Sequence, residues 1–203
     1  VNVTSGPGGT NAMTGVLGGW LDSIPMLVLS GQVKYETTIA STDVPLRQLG
    51  DQEYNIVDSV RPMTKYCVMV TDPIRIAYHL EKAFYVATNG RPGPCWLDIP
   101  LNVQGALVDE NELVHFDSEH DDFGSGKEPL LKQEQVEPVE QEIIARVFEL
   151  IHKAKRPVIL AGGGIRTGKA YEEFLMAIEK MGIPVCTAWN AHVFAFLIII
   201  ICM

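Results

Sequence analysis

Cationic residues, paired cysteines and long apolar spans are scarce in this sequence, and each shortage removes a class of function. Lysine and arginine number 16 against 25 acidic residues, a formal net charge of −9. Neither nucleic acid nor an anionic membrane surface is therefore the expected partner. The four cysteines, Cys67, Cys95, Cys186 and Cys202, include no C-x-x-C pair, which argues against a zinc site or a disulfide framework. Cys67, Cys95 and Cys186 lie in apolar, strand-like runs and read as buried free thiols. The five histidines show no ligand spacing, and His115 and His120 fall in an acidic stretch where they read as solvated. The apolar run Phe194 to Met203 is shorter than the roughly 20 residues a bilayer span needs. It has three readings: a truncated or frame-shifted end, a buried strand, or a membrane-surface anchor. The sequence opens at Val1 inside an apparent strand, with no signal peptide. The expectation is a fragment of a larger cytoplasmic protein.

What is present is ample apolar material, 47% of residues, arranged as alternating strands and helices. Val1–Thr4 reads as a short strand, 10–20 as a helix capped by Thr10 or Asn11, and 26–30 as a buried strand. An irregular stretch, 33–50, precedes a short helix near 53–59 and a strand at 64–70. Asp72-Pro73 opens a helix to about 88, with Ile76, Leu80, Ala83, Phe84 and Ala87 at helical spacing, and Asn89-Gly90 ends it. Cys95 to Ile99 is a strand closed by Pro100. This rhythm predicts an α/β fold with a mostly parallel sheet. Residues 103–135 are rich in Asp, Glu, Gly, Ser and Lys and read as a linker. A second series follows: a helix at 137–153 with the stripe Ile143, Ile144, Val147, Leu150 and Ile151, a strand at 157–161, the turn Gly162-Gly163-Gly164, a helix from Thr167 or Gly168 to about 181, and a strand from Val185 to Ala188.

The first turn is the most informative part. In Thr4-Ser5-Gly6-Pro7-Gly8-Gly9-Thr10-Asn11, three glycines and a proline let the backbone turn sharply and approach a ligand closely. The ordered string T-S-G-P-G-x-T-N, D-S-x-P at Asp22 to Pro25, G-Q at Gly31-Gln32, D-Q-E at Asp51 to Glu53, R-P-x-T-K-Y at Arg61 to Tyr66 and G-R-P-G-P-x-x-L-D-I-P at Gly90 to Pro100 resembles the pyrimidine-binding domain of thiamine-diphosphate (ThDP) enzymes of the acetolactate synthase-like group. The resemblance implies a partial pyrimidine-binding domain at 1–110, a linker at 111–135 and the start of a Rossmann-like central domain at 136–203. It also implies an enzyme of branched-chain amino acid biosynthesis that acts on a 2-oxo acid in a homo-oligomer whose site lies between subunits. ThDP would be the cofactor, with Mg²⁺ held by a further, C-terminal domain and FAD possible in the central domain. By the same resemblance Gly6, Pro7, Gly8, Asn11 and Gln52 are the cofactor-binding positions. Pro7 and the glycines suit an apolar slot, and the amides of Asn11 and Gln52 suit a ring that both donates and accepts.

Each position also has a plain structural role. Asn11 is a candidate helix cap, Gln32 a strand terminus, Asp22 and Ser23 turn formers, and Arg91 and Asp98 contacts at the ends of a strand. No catalytic residue is assigned: the proton-relaying glutamate of these enzymes lies upstream of the glycine turn, and its role does not pass to Glu53. Asp51 stands where acetolactate synthases carry phenylalanine. Three function readings follow: an acetolactate synthase fragment, another ThDP-dependent 2-oxo acid lyase or transferase, or an inert truncated product that only binds a partner subunit.

Overall fold

A computed structural model describes residues 1–120 and 138–189, divided between two compact units, 1–133 and 134–203. The tail after 189, with Cys202, and residues 121–137, which include 121–135 of the expected linker, lie outside the described residues.

In the first unit β1 (Asn2–Val3), β2 (Met26–Gln32), β3 (Tyr66–Met69) and β4 (Pro94–Pro100) form one parallel sheet in the order β1-β2-β4-β3. The connections carry α1 (Pro7–Leu21), α2 (Ile56–Val60) and α3 (Ile76–Thr88), and β4 runs directly into α4 (Leu101–Gln104). Successive strand residues point to opposite faces, so β4 supplies two cores. Cys95 and Leu97 pack with Val86 and Ala87 of α3, whereas Trp96 packs with Val16 of α1 and Ile56, Val57 and Val60 of α2. Trp96 and Leu97 are fully buried.

Several expectations need correction. The first helix begins at Pro7, with Gly6 before it, not at Thr10. Proline at the first helical position has a preset φ and no N–H to leave unpaired. Thr10 and Asn11 are consequently inside the helix and cap nothing. The short helix begins at Ile56 because Asn55 caps it, its side chain accepting from the Asp58 N–H. Phe84 faces solvent, 68% exposed, because α3 buries the face defined by Ala83, Val86 and Ala87. The acidic stretch begins with docked residues: Phe116 packs edge-on against Tyr78 and lies 5.5 Å from Tyr85, ring centre to ring centre. His115 is bonded to Glu81 rather than merely solvated.

Lys65, from the R-P-x-T-K-Y string and immediately before β3, terminates α3. Its ammonium donates to the carbonyls of Val86 and, at 2.6 Å, Asn89. A cation suits a helix C-terminus, where carbonyls lack intrahelical partners.

The second unit contains α5 (Gln141–Lys153), β5 (Ile159–Ala161), α6 (Gly164–Thr167), α7 (Tyr171–Met181) and β6 (Val185–Thr187). β5 and β6 pair in parallel. Ala161, Ile178 and Val185 form its small core. Instead of one helix from Thr167 or Gly168, α6 ends at Thr167 and α7 starts at Tyr171, with Lys169 in the left-handed region (φ 56°) breaking the run. Cys186 is exposed, not buried: it alternates with buried Val185, so its side chain leaves the opposite face of the two-stranded sheet. Cys67 and Cys95 are buried free thiols, and burial pushes the Cys95 thiol up to about 12.

Candidate functional site

The carboxyl ends of parallel strands are where open α/β sheets bind ligands. Here the ends of β1, β2 and β4 surround an open cavity of about 720 Å³ lined by Thr4, Ser5, Ser30, Gln32, Leu101 and Gln104, among others. A second cavity, about 410 Å³, lies among Tyr35, Ile39, Glu53, Tyr54, Val57 and Met69. Pro7, Asn11 and Gln52 line neither of these two cavities. Their chain neighbours Ser5, Glu53 and Tyr54 do line them, which puts the three exposed residues at an open rim.

The rim is built by one close approach. Gly6 has φ +55° and is buried, and a Cβ on it would stand 2.4 Å from the carbonyl oxygen of Gln52. A Cβ on Gly8 would stand 2.5 Å from Thr4 Cγ2. Gly6 is thus required by the chain itself and lets the 50–53 segment sit directly on the turn, whereas a side chain at Gly8 would have to displace that of Thr4. Gln52 is itself left-handed, φ 57°. Pro7 and Asn11, four residues apart on α1, share a helix face. Pro7, Asn11 and Gln52 are all exposed. Among the described residues, the side chains of Asn11 and Gln52 make no hydrogen bond. Two uncommitted amides and a proline ring beside a fixed turn fit a heteroaromatic ring with donors and acceptors on its edge.

Glu53 is committed elsewhere. Its carboxylate accepts from the backbone N–H groups of Ile39 at 2.5 Å, Leu49 at 2.8 Å and Gly50 at 3.2 Å. It organises the loop. Asp51 is exposed next to Gln52. Arg91 donates to the Ser23 hydroxyl at 2.8 Å, tying the strand entry to the turn after α1.

Beneath the rim lies a polar network that sequence reasoning saw only as separate residues. Ser30 and Asp98 are register partners in β2 and β4. The Ser30 hydroxyl donates to Asp98 Oδ1 at 2.5 Å and accepts from the Trp96 indole N–H at 2.8 Å. The Gln32 amide nitrogen donates to Asp98 Oδ2 at 3.0 Å and to the Tyr54 carbonyl at 2.9 Å, while its oxygen accepts from the Val33 N–H. Ser30, Gln32 and Asp98 are all buried. Burial pushes the Asp98 carboxyl up to about 6, against the opposing pull of the Ser30 and Gln32 hydrogen bonds. The signal was visible in outline: Ser30 and Gln32, like Trp96 and Asp98, are two apart in strands and so share a face.

Residues 1–55 match the thiamine pyrophosphate enzyme N-terminal TPP binding domain, and 144–194 match the central domain of the same enzymes. The chain is 34% identical over 191 residues to the acetolactate synthase large subunit of Buchnera aphidicola from Acyrthosiphon pisum, covering 93% of this chain and 30% of the relative. It is 37% identical over 188 residues to that of Corynebacterium glutamicum, 93% of this chain and 27% of the relative. To the acetolactate synthase isozyme 3 large subunit of Escherichia coli it is 34% identical over 185 residues, 91% and 29%. The chain spans less than a third of the length of these curated relatives. Among the described residues no helix is long and apolar enough to cross a membrane, and no cluster of His, Cys, Asp or Glu could hold a metal.

Proposed function

Because the chain belongs to the thiamine pyrophosphate enzymes, we propose that it is part of an acetolactate synthase-like carboligase, which decarboxylates pyruvate and transfers the two-carbon unit to a second 2-oxo acid. The observation that carries the reading is the rim where Gly6 admits the Gln52 backbone beside Pro7 and Asn11. When bound, ThDP supplies the electron sink for decarboxylation. This chain's residues bind and orient it: Pro7 lies against the ring, while Asn11 and Gln52 offer amides to its edge or to the bound acid. Gly6 and Gly8 allow the backbone geometry that brings them together.

The rim is open, so its enclosure comes from other protein surface. That supports a homo-oligomer with the site between subunits, Mg²⁺ and the diphosphate being held by a domain outside the described residues. Gly162, Gly163 and Gly164 lead from β5 into α6, and a glycine turn between a strand and a helix supports FAD in the central domain. The residue ranges 1–110 and 136–203 remain the proposed pyrimidine-binding and central domains.

One observation favours a second reading. Asp51 places an exposed carboxylate beside Gln52, where it repels an anionic acceptor; a ThDP lyase or transferase using an uncharged aldehyde tolerates it better. The test is product analysis with the full-length enzyme carrying this segment, given pyruvate alone and pyruvate with aldehydes. Acetolactate as main product supports the first reading. An aldehyde adduct as main product supports the second, and no ThDP-dependent turnover sinks both.

A further inference from the structure

The network beneath the rim joins the sheet to the loop that carries Gln52. Gln32 is the last residue of β2, and its amide bridges Asp98 on β4 and the Tyr54 carbonyl in the loop. An ionised carboxylate only accepts, so both its neighbours must donate, and the Gln32 nitrogen must face it. That orientation also places the nitrogen's second hydrogen on Tyr54 and the amide oxygen on the Val33 N–H. The orientation of a single amide thus depends on the charge of Asp98.

We propose that Asp98 is a positioning residue: ionised, it fixes the Gln32 amide so that Gln32 holds the Tyr54 carbonyl, and on taking up a proton it turns that amide over and releases the 50–54 segment from the Gly6 turn. A protonated Oδ2 presents O–H to the Gln32 nitrogen, which has no lone pair to accept it. Turning the amide over offers Oε1 to that proton and places the same oxygen against the Tyr54 carbonyl, losing the loop contact. Protonation of Oδ1 would instead make Ser30 accept from both Asp98 and Trp96, leaving its own buried hydroxyl proton without the acceptor it now has.

The surroundings leave Asp98 to this network. α1 contains no ionisable residue. α2 contributes only Asp58, which bonds Arg61 and Asn55 at the surface. β3 contributes Cys67, whose thiol donates to the Val57 carbonyl, and β2 none. No cation therefore holds Asp98 ionised, and its switching range sits at about 6. The loop itself carries Asp51 and Tyr54 on either side of Gln52 and Glu53, and the Glu53 carboxylate is turned to its far side. The effect on catalysis rests on the proposed function; the latch itself does not.

Hydrogen exchange by mass spectrometry, corrected for intrinsic rates, tests it on the 203-residue chain between pH 5 and 7.5. Wild type should lose about tenfold protection in the peptide covering 48–56 as pH falls through the Asp98 range, the size of one net hydrogen bond, while α1 and β4 stay protected. Asp98→Asn puts a donor against Gln32 and should leave the loop open at every pH. Gln32→Met cuts the link to Tyr54 while leaving Ser30 on Asp98, and should show the same open loop without a pH step. A pH-independent wild-type loop, or wild-type protection in both variants, overturns the proposal. A pH step that persists in either variant comes from a group other than Asp98 and overturns it equally.

Discussion

The two faces of β4 differ in what they ask of their neighbours. Toward α3 it presents Cys95 and Leu97, which pack among apolar side chains, the polar contacts on that side being made by Tyr66, His79, Tyr78 and Lys82. Toward α1 and α2 it presents Trp96 and then Asp98, whose polar atoms are all paired. On the α3 face β4 itself contributes volume alone, the hydrogen bonds to α3 coming from Lys65 and Tyr66. The other spends its buried polarity on directing a loop, since a buried polar group without a partner costs more than an apolar one. The fold therefore separates stability and site placement onto opposite sides of a single strand.

Substitutions along β4 break this contrast in graded fashion. Trp96→Ala should be the most damaging, about 5 kcal/mol, because it opens a large cavity and strips the Ser30 oxygen of a donor. Leu97→Ala should cost about 3 kcal/mol without disturbing the Gln52 loop. Urea unfolding gives the energies, and exchange in the 48–56 peptide tells the two faces apart: equal loop exposure in both variants would erase the distinction.

Next in size is the pH dependence. The folded-state value of Asp98 is raised, from 3.8 to about 6, so folding favours its protonated form. Its contribution is fully present below about pH 3.8 and is lost as pH rises through about 6, on the order of 2–3 kcal/mol. Subtracting Asp98→Asn unfolding energies from wild type at pH 4, 5, 6 and 7 isolates that slope. A flat difference would show that Asp98 is not taken out of water. Locally the sign is reversed, since the 50–54 segment is best held when Asp98 is ionised; global urea unfolding and loop exchange should therefore move in opposite directions with pH.

Gly6→Ala should cost about 1–2 kcal/mol, from the positive φ and the forced retreat of the Gln52 carbonyl, and should lower ThDP affinity of the full-length enzyme. Asn11→Ala should be smallest in stability, within about 0.5 kcal/mol for an exposed residue, yet should weaken ThDP binding measured by titration. Unchanged affinity in that variant would remove Asn11 from the site.

Much of this was legible from residue patterns. The parallel sheet follows from the alternation of short apolar runs and helical stripes, and the Gly6 turn from its glycines and proline. Four features were not. The helix start at Pro7 was obscured by Thr10 and Asn11, good cap residues that happen to lie one turn inside. Phe84 and Cys186 look buried by type, but which face of a helix or a two-stranded sheet is covered depends on what packs against it. The Ser30–Asp98–Gln32 network joins residues 66 and 68 positions apart, and only strand register brings them together. The rim residues Gly6 and Gln52 are likewise joined by a backbone approach that no local pattern encodes.

The strand order β1-β2-β4-β3 also sets a timetable for synthesis. β4 is the last of the four strands to leave the ribosome, yet it occupies an interior position, pairing with both β2 and β3. Until residues 94–100 emerge, β3 has no neighbour in the sheet and one side of β2 stays open. A nascent chain stalled before Pro94 therefore displays two apolar strand edges, the kind of surface that invites chaperone capture or misassembly, and release of the following few residues closes both at once.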